Sequence, residues 1–411
     1  MMRWLIFIII YIIADLYAFQ AFRTVTKNNW ILGLYWLISL LVIGNFVYNY
    51  YGFNRSDGFS HRHAFAFGFF IALLVPKMIV LVAMLGEDIF RIPQAIYRYF
   101  TEGSSAEGNY FASRRQFISK IALGVAAIPF ASIIYGIYKG KYNFKVLKYT
   151  LTFDDLPDAF DGYKVTQVSD IHSGSFDDVN KVDYAINLIN EQESDMILFT
   201  GDMVNNKAEE LKPYLGIFGK LNAKDGLYSV LGNHDYGDYV SWDSEAAKHQ
   251  NLEDLKAHQK EIGFDLLLNE SRFIERDGQR LALVGVENWG TGGFKKAGDL
   301  KKATKDVHAN DFKILMSHDP THWEKKVKDD EYHYHLTLSG HTHGMQFGIE
   351  IPGWFKWSPA KWRYKYWAGM YNEMGQYLNV NRGFGYLAFP GRVGIWPEIT
   401  VIELKKGTAT A

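Results

Sequence analysis

Four apolar stretches in the first 138 residues constrain the fold of this 411-residue chain more than any other feature. They cover residues 4–22, 30–51, 64–85 and 117–138. A helix needs about 20 apolar residues to cross about 30 Å of hydrocarbon, and each stretch approaches that length. Asp15 interrupts the first stretch and Lys77 the third, so either of these alone would also suit a buried core helix. Because all four lie close together, we predict a membrane region with about four transmembrane helices over residues 1–140, followed by a second domain over residues 141–411.

The two ionisable residues within the apolar stretches, Asp15 and Lys77, have opposite charges. A charged side chain at membrane depth is costly, and it usually faces the interior of a helix bundle. We therefore expect Asp15 and Lys77 to pair with each other in a structural contact.

The orientation of the chain in the membrane rests on the basic residues that flank the fourth stretch. Arg114 and Arg115, in the segment 113–120, resemble a twin-arginine export signal, and they also suit cytoplasmic anchors under the positive-inside rule. Both interpretations place Arg114 in the cytoplasm, so the second domain would lie on the outer face of a bacterial-type cell membrane. Four lysines after the last stretch argue for the opposite orientation: Lys139, Lys141, Lys145 and Lys148.

Charge and cysteine content exclude several kinds of chemistry. The formal net charge of −1 gives no reason to expect a nucleic-acid partner. The chain has no cysteine, which excludes disulfides, thiolate nucleophiles and cysteine-ligated zinc. A chain without disulfides is compatible with either side of a membrane.

From residue 163 onward, short β-rich runs alternate with helical periodicity, which predicts an α/β domain. The first strand is predicted at 163–168, a helix at 179–193 and the second strand at 196–199. Further strands are predicted at 227–231, 281–286, 312–316, 335–338, 377–380 and 399–404. This number of strands suffices for a two-sheet core with helices on the outer faces.

Polar residues follow five of these strands, at the edge where an α/β sheet holds its ligands. They offer carboxylate, amide or imidazole donors: Asp170 and His172, Asp202, Asn233 with His234 and Asp235, His318, and His341 with His343. Each group alone also fits an ordinary turn or a surface histidine. His341 and His343 are more specific, because alternate residues of an extended segment face the same side. All five groups in this order, each after a β-rich run, indicate a metal site.

These blocks resemble the calcineurin-like metallophosphoesterases, whose motifs run Asp-x-His, Gly-Asp, Gly-Asn-His-Asp/Glu, a lone His, and Gly-His-x-His. The resemblance covers about residues 163–404, and the Gly-His-Thr-His-Gly form is similar to a branch that often carries an N-terminal membrane or twin-arginine segment. It implies a four-layer αββα two-sheet sandwich. The tail residues Asn381 to Gly385 and Trp396 to Ile399 also resemble that branch, and the resemblance implies a structural role for them.

The resemblance further implies two divalent metal ions, Mn, Fe or Zn, with a bridging hydroxide as the nucleophile. The first metal would bind Asp170, His172, Asp202 and His343, and the second would bind Asp202, Asn233, His318 and His341. His234 would protonate the leaving oxygen or stabilise the phosphoryl group, with Asp235 either holding its other nitrogen or serving as a turn carboxylate. Many relatives have an aspartate three residues after the bridging one as a partner for this histidine, whereas this chain has Asn205.

An aromatic and basic segment follows the last metal motif, over residues 352–357 and 361–367. Such a composition favours a membrane interface, although it also suits single-stranded nucleic acid or a buried aromatic cluster. We expect the segment to lie on the bilayer and to guide a lipid-borne phosphodiester or pyrophosphate into the site; the family that the motifs resemble includes UDP-2,3-diacylglucosamine hydrolases. The alternatives are a broad-specificity phosphodiesterase and a metal-binding membrane sensor or scaffold without turnover.

Overall fold

The computed structural model describes residues 2–102, 109–351 and 353–408, and the chain divides into two compact units. The helical unit comprises Met1–Phe53 and Ser60–Tyr138, and the α/β unit comprises Asn54–Phe59 and Lys139–Ala411. The first residue of the predicted membrane region and the last three residues of the predicted second domain lie outside the described residues.

The helical unit contains four long helices, α1 (Met2–Val25), α2 (Asn29–Tyr50), α3 (His61–Glu102) and α4 (Asn109–Tyr138). Each contains a stretch that is long and apolar enough to cross a membrane, which confirms the prediction of four such helices. Helix α3 extends 17 residues beyond the predicted end at Leu85. A count of apolar residues ends where charges begin, whereas the helix itself continues through Gly86 and Pro93.

Small side chains allow three of these helices to approach closely. Ala18 and Ala21 of α1 pack with Val80 and Met84 of α3, and Ala122 and Ala126 of α4 complete the cluster. In a membrane, where lipid is as apolar as leucine, such close packing is a main source of helix association.

The predicted pairing of Asp15 and Lys77 is confirmed, with 2.9 Å between Lys77 Nζ and Asp15 Oδ1. Lys77 also donates to Ser39 Oγ at 2.7 Å and to Tyr11 Oη at 3.0 Å, so each of its three protons has a partner. Ser39 and Tyr35 donate to the Asp15 carboxylate in turn. The charges are therefore buried as a satisfied network that joins α1, α2 and α3.

Arg115, the second residue of the twin-arginine-like pair, forms ion pairs within the helical unit. Its Nη1 lies 2.8 Å from Glu87 Oε2 and 2.6 Å from Asp88 Oδ1, both on α3, and its Nη2 donates to Gln20 of α1. Arg115 thus fixes the start of α4 against two neighbouring helices.

The α/β unit contains fourteen strands and five helices among the described residues. The strands are β1 (Lys145–Phe153), β2 (Tyr163–Val168), β3 (Met196–Phe199), β4 (Leu227–Ser229), β5 (Phe264–Leu266), β6 (Glu270–Arg276), β7 (Gln279–Val286), β8 (Phe312–Ser317), β9 (Leu336–Ser339), β10 (Ile349–Ile351), β11 (Phe355–Trp357), β12 (Gly369–Glu373), β13 (Gln376–Val380) and β14 (Glu398–Lys406). The helices are α5 (Val179–Asn190), α6 (Leu215–Phe218), α7 (Glu245–Ile262), α8 (Leu300–Ala303) and α9 (Pro320–Lys325).

Twelve of the strands form two six-stranded sheets, and β10 and β11 form a separate hairpin. The first sheet has the order β1-β14-β2-β3-β4-β5, and the second has the order β12-β13-β9-β8-β7-β6. Strands β2 to β5 are parallel, as are β13, β9, β8 and β7. The carboxyl ends of the strands that carry the predicted site therefore lie at one edge of each sheet.

The hydrophobic core has three layers, which separate four layers of secondary structure. The central cluster packs one sheet on the other and includes Val165, Leu198, Leu283 and Ile314. A second cluster packs α5, α6 and α7 on the first sheet, and a third packs α8 and α9 on the second sheet. The predicted αββα sandwich is confirmed.

Candidate metal centre

Loops that follow β2, β3, β4, β8 and β9 bring the seven predicted ligand residues together. Six of them are buried, and His341 is half-buried. Two groups each place their ligand atoms within 4.8 Å of one another, namely Asp170 with His172 and His343, and Asp202 with His318 and His341. Each group holds residues predicted for one of the two metals, and the assignment of ions to them stays a prediction. Asp202 Oδ2 lies 3.1 Å from His318 Nε2 and 3.6 Å from His172 Nε2, so it lies between the groups.

Five of the seven residues have a left-handed backbone, which is rare outside glycine. They are Asp170 (φ 52°), His172 (φ 49°), Asp202 (φ 62°), His341 (φ 71°) and His343 (φ 50°). Hydrogen bonds between the loops hold these conformations, as from Asp170 N to Gly201 O at 2.9 Å and from His172 N to Asp202 O at 3.1 Å. Strained backbone of this kind collects at functional sites, where the surrounding fold compensates for its cost.

The donor atoms have the arrangement that a divalent cation requires. His172 Nε2 lies 3.0 Å from His343 Nε2, and His318 Nε2 lies 3.3 Å from His341 Nδ1. A proton shared between two such nitrogens, or a cation near both, offsets the repulsion of their lone pairs, and neighbouring ligands of an octahedral ion at about 2.1 Å lie about 3 Å apart. Asn233 Oδ1 is buried and has no hydrogen-bond partner within the described chain, while its amide nitrogen donates to Tyr239. The residues therefore fit two metal ions.

Burial displaces the pKa values of the ligands in opposite directions. Desolvation raises the pKa of Asp170 to about 6 and lowers the pKa of His172 to about 3. Burial also opposes protonation of His318, but the nearby Asp202 carboxylate outweighs it and raises the pKa of His318 to about 10. The Asp202 carboxylate therefore favours a positive charge beside it.

His234 is oriented by a main-chain carbonyl. Its Nδ1 lies 2.7 Å from Asn205 O, and its ring lies beside those of His172 and Tyr239. Asn205 stands where many relatives have an aspartate, and its carbonyl oxygen here accepts the hydrogen bond that a carboxylate would accept. The departure from the family motif therefore does not leave His234 without an orienting group.

Glu210, which the sequence did not suggest, holds the loop that carries this carbonyl. Its carboxylate accepts from the backbone N–H groups of Asn205, Asn206 and Lys207 at 2.6, 3.2 and 3.1 Å. Burial raises the pKa of Glu210 to about 7. Glu210 is the third residue of the 3-10 turn at Ala208–Tyr214 and completes a capping box with the backbone of Lys207, so its place before that turn was a usable local signal.

Asp235 is fully buried, and its carboxylate binds backbone N–H groups as the turn interpretation expects. It accepts from Gly232 at 2.8 Å, from Asp202 at 2.9 Å and from Met203 at 2.8 Å. These contacts join the loops after β3 and β4, each of which carries a candidate ligand. A direct contact of Asp235 with the ring of His234 stays a prediction.

Three further residues that sequence reasoning missed contact the histidines of the last motif. Tyr364 Oη lies 3.0 Å from His341 Nε2, and Asp319 Oδ2 lies 3.8 Å from the same nitrogen. Arg392 is fully buried, and its Nη2 lies 3.2 Å from His343 Nδ1. Of these, Asp319 had a usable signal, because it directly follows His318.

Comparison with known proteins identifies the family of the chain that carries this site. Residues 163–345 match the family described as "Calcineurin-like phosphoesterase", and residues 2–141 match "Probable Calcineurin-like phosphoesterase, transmembrane domain". The chain is 30% identical over 299 residues to the uncharacterized metallophosphoesterase YkuE of Bacillus subtilis, covering 71% of this chain and 98% of YkuE. The chain belongs to the calcineurin-like metallophosphoesterases.

Another relative and a solved structure share less of their sequence with this metallophosphoesterase. A transmembrane protein with metallophosphoesterase domain from Danio rerio is 26% identical over 283 residues, which span 66% of this chain and 60% of that protein. Among solved structures, the phosphopantetheinyl hydrolase of Mycobacterium tuberculosis aligns with a TM-score of 0.33 and 10% identity, over 54% of this chain and 89% of that chain. The family membership identifies the protein as a metal-dependent phosphoesterase with a membrane domain.

In this metallophosphoesterase the aromatic and basic segment divides into an exposed part and a buried part. Trp354 on the β10–β11 hairpin is 81% exposed and Trp362 is 75% exposed, whereas Tyr364 and Trp367 are buried. Pro352, the first residue of the predicted segment, lies outside the described residues. The predicted exposed surface and the alternative of a buried cluster therefore each describe a different part of the segment.

Proposed function

We propose that this protein hydrolyses a phosphodiester or pyrophosphate bond of a membrane lipid or lipid-linked substrate, at a site that holds two divalent ions. The observation that carries the proposal is the pair of histidine and carboxylate groups, with Asp202 lying between them. Such donors suit Mn, Fe or Zn. When bound, the ions would neutralise charge on the phosphoryl oxygens and supply a nucleophile at neutral pH.

The residues of the chain would position the substrate and move its protons. Asp170, His172 and His343 would hold the first ion, Asn233, His318 and His341 the second, and Asp202 both. A hydrogen bond from His234 Nδ1–H to Asn205 O fixes the tautomer of the neutral ring, so that its proton acceptor is Nε2. When this ring is protonated, Nε2 can donate a proton to the leaving oxygen.

The exposed face of the aromatic segment supports a lipid-borne substrate. Ile349, Ile351, Trp354, Phe355 and Trp362 are exposed large apolar side chains of one hairpin and the turn that follows it. Tryptophan is enriched at membrane interfaces, and exposed apolar side chains close together mark a contact surface. A surface of this composition beside the metal motif would bring a lipid phosphoester to the site.

The first experiment measures hydrolysis of bis(p-nitrophenyl) phosphate and of p-nitrophenyl phosphate by detergent-purified protein with added Mn²⁺. Asp202→Asn should lose bound metal and turnover, and His234→Ala should keep both metals and lose most turnover. Unchanged turnover in Asp202→Asn would refute the metal assignment. A preference for the diester would favour the proposed bond, whereas equal rates on unrelated esters would favour a broad-specificity phosphodiesterase.

The lipid part of the proposal has its own test. Trp354→Ala combined with Trp362→Ala should lower turnover of a phosphoester lipid in mixed micelles while leaving turnover of the soluble diester unchanged. Tyr184→Ala is the matched control, because Tyr184 is an exposed aromatic residue on α5. Equal rates of lipid turnover in the double variant and the control would refute a role of the exposed face.

We also propose that the α/β unit lies on the outer face of the membrane. Arg114 and Arg115 precede the last apolar stretch, Arg23 and Lys27 lie between the first two, and the positive-inside rule places such residues in the cytoplasm. Because the chain has no cysteine, single cysteines can be introduced and labelled with a membrane-impermeant maleimide in intact cells. Lys325→Cys should react and Lys27→Cys should not; the reverse pattern would overturn the orientation.

A further inference from the structure

The rim of the candidate metal centre carries an arginine that no carboxylate neutralises within the described chain. Arg363 is exposed, and its guanidinium carbon lies 5.1 Å from the Phe294 ring centroid and 5.4 Å from that of Tyr364. Stacking on aromatic faces fixes the plane of a guanidinium and leaves its N–H edge available.

Both aromatic rings that hold Arg363 also contact a candidate ligand of the second metal. The Phe294 ring lies 4.8 Å from the His341 ring in an edge-on arrangement, and Tyr364 Oη lies 3.0 Å from His341 Nε2. The two ring distances together place the guanidinium within about 10 Å of the His341 ring. Arg363 is therefore close enough to meet a group attached to a phosphoryl group at the metals.

Neighbouring cations are already engaged. Lys356 donates to Ala368 O, and Lys365 forms an ion pair with Glu373 at 3.1 Å. Arg363 differs from these two lysines, because its contacts are with aromatic faces and leave the N–H groups of the guanidinium available.

We propose that Arg363 forms an anion subsite that binds a second anionic group next to the scissile phosphate. The inference rests on the proposed function, and it selects the pyrophosphate-type substrate over the simple phosphodiester. A planar guanidinium binds phosphate oxygens in a bidentate manner, and such charge-assisted bonds are stronger than neutral ones. The two aromatic rings hold the guanidinium in place before the ligand arrives, which reduces the entropy lost on binding.

Calorimetry with Mn²⁺-loaded full-length protein in nanodiscs tests the subsite without relying on turnover. The probes are a methylene-bridged analogue of a nucleoside diphosphate sugar and a methylphosphonate ester, which carry two phosphoryl groups and one. Arg363→Gln should weaken binding of the two-phosphoryl probe at least tenfold and leave the one-phosphoryl probe within twofold. Lys361→Gln is the matched control, because it removes an exposed cation two residues away and should change neither.

Three outcomes would overturn the subsite. Equal weakening of both probes would show a structural role for Arg363, and unchanged binding of both would show no role. If Arg363→Gln weakened probe binding in nanodiscs with anionic lipid but not in nanodiscs of pure phosphatidylcholine, Arg363 would bind a lipid headgroup instead. If the proposed hydrolysis is wrong, the protein does not turn over bis(p-nitrophenyl) phosphate although both probes bind normally. That result is distinct from the three outcomes that overturn the subsite.

Discussion

Glu210 gives the sharpest prediction, because it acts on His234 through one backbone carbonyl. Its carboxylate holds the N–H of Asn205, and Asn205 O in turn accepts from His234 Nδ1. Glu210→Gln replaces one carboxylate oxygen by an NH₂ group, which cannot accept from a backbone N–H. At least one N–H of the loop at Asn205, Asn206 and Lys207 then loses its acceptor.

The magnitude follows from the contacts that are lost. A buried N–H left without an acceptor costs about 1–3 kcal/mol, so the loop carrying Asn205 O should shift in Glu210→Gln. General acid catalysis contributes about 10²–10⁴-fold to a rate, and a loosened His234 would lose part of this. We expect about a tenfold loss in kcat/KM where proton donation limits the rate, which corresponds to about 1.4 kcal/mol.

The assay uses diesters that differ only in the leaving group. 2,4-Dinitrophenolate leaves without a proton, whereas phenolate, whose conjugate acid has a pKa of about 10, needs one. Glu210→Gln should therefore lose about tenfold on the phenyl ester and less than about twofold on the dinitrophenyl ester, and His234→Ala should show the same trend more strongly. Glu209→Gln is the control, because Glu209 is the exposed neighbour.

Two results would refute this reasoning. An equal loss on all leaving groups in Glu210→Gln would show that Glu210 acts on the fold or the metals, not on proton donation. A leaving-group trend in His234→Ala without any in Glu210→Gln would show that Asn205 O holds His234 without help. Metal content, measured by mass spectrometry in each variant, separates these outcomes from loss of an ion.

Three other predictions concern contacts of the candidate ligands and the titration of Glu210. Tyr364→Phe removes one neutral hydrogen bond to His341, worth about 0.5–1.5 kcal/mol, so the second ion should dissociate up to about tenfold more readily in a chelator competition. Gly340→Ala places a Cβ against the Asp170 carboxylate and should release the first ion, seen as loss of metal per chain. Burial raises the pKa of Glu210 to about 7, so its favourable contribution to folding is present below about pH 4.3 and is lost as pH rises through 7. Between pH 5 and pH 8, the melting temperature of the wild type should therefore fall relative to that of Glu210→Gln.

The sequence predicted the four apolar helices, helix α5, the two-sheet core and a site built from residues after its strands, because each depends on local patterns. Long apolar stretches, buried β-rich runs and polar residues just after them are readable without knowing distant neighbours. The sequence does not predict strand β1, because its two lysines, Lys145 and Lys148, also suit charges that flank a membrane span. The lysines are compatible with a strand because β1 lies at the edge of its sheet.

The orienting contacts of the site could not be predicted in the same way. Asn205 departs from the family motif given above, but a sequence shows side chains and not the direction of a carbonyl. His343 and its partner Arg392 are 49 residues apart in the sequence, and His234 and its partner Asn205 are 29 residues apart. Such contacts arise only when the loops after different strands converge at the sheet edge.

The aromatic and basic segment shows why composition left two interpretations open. Thr342 Oγ1 donates to Trp367 O at 2.6 Å, and Ser358 Oγ donates to Gly344 O at 2.6 Å, so the buried part of the segment supports the loop that carries His341 and His343. The exposed tryptophans of the same segment make no such contact with this loop among the described residues. A change at the exposed face should therefore alter delivery of the substrate and leave the metals in place, whereas a change at the buried face should alter the metals first. Since both faces have the same composition, only their hydrogen bonds to the metal loop distinguish the two roles.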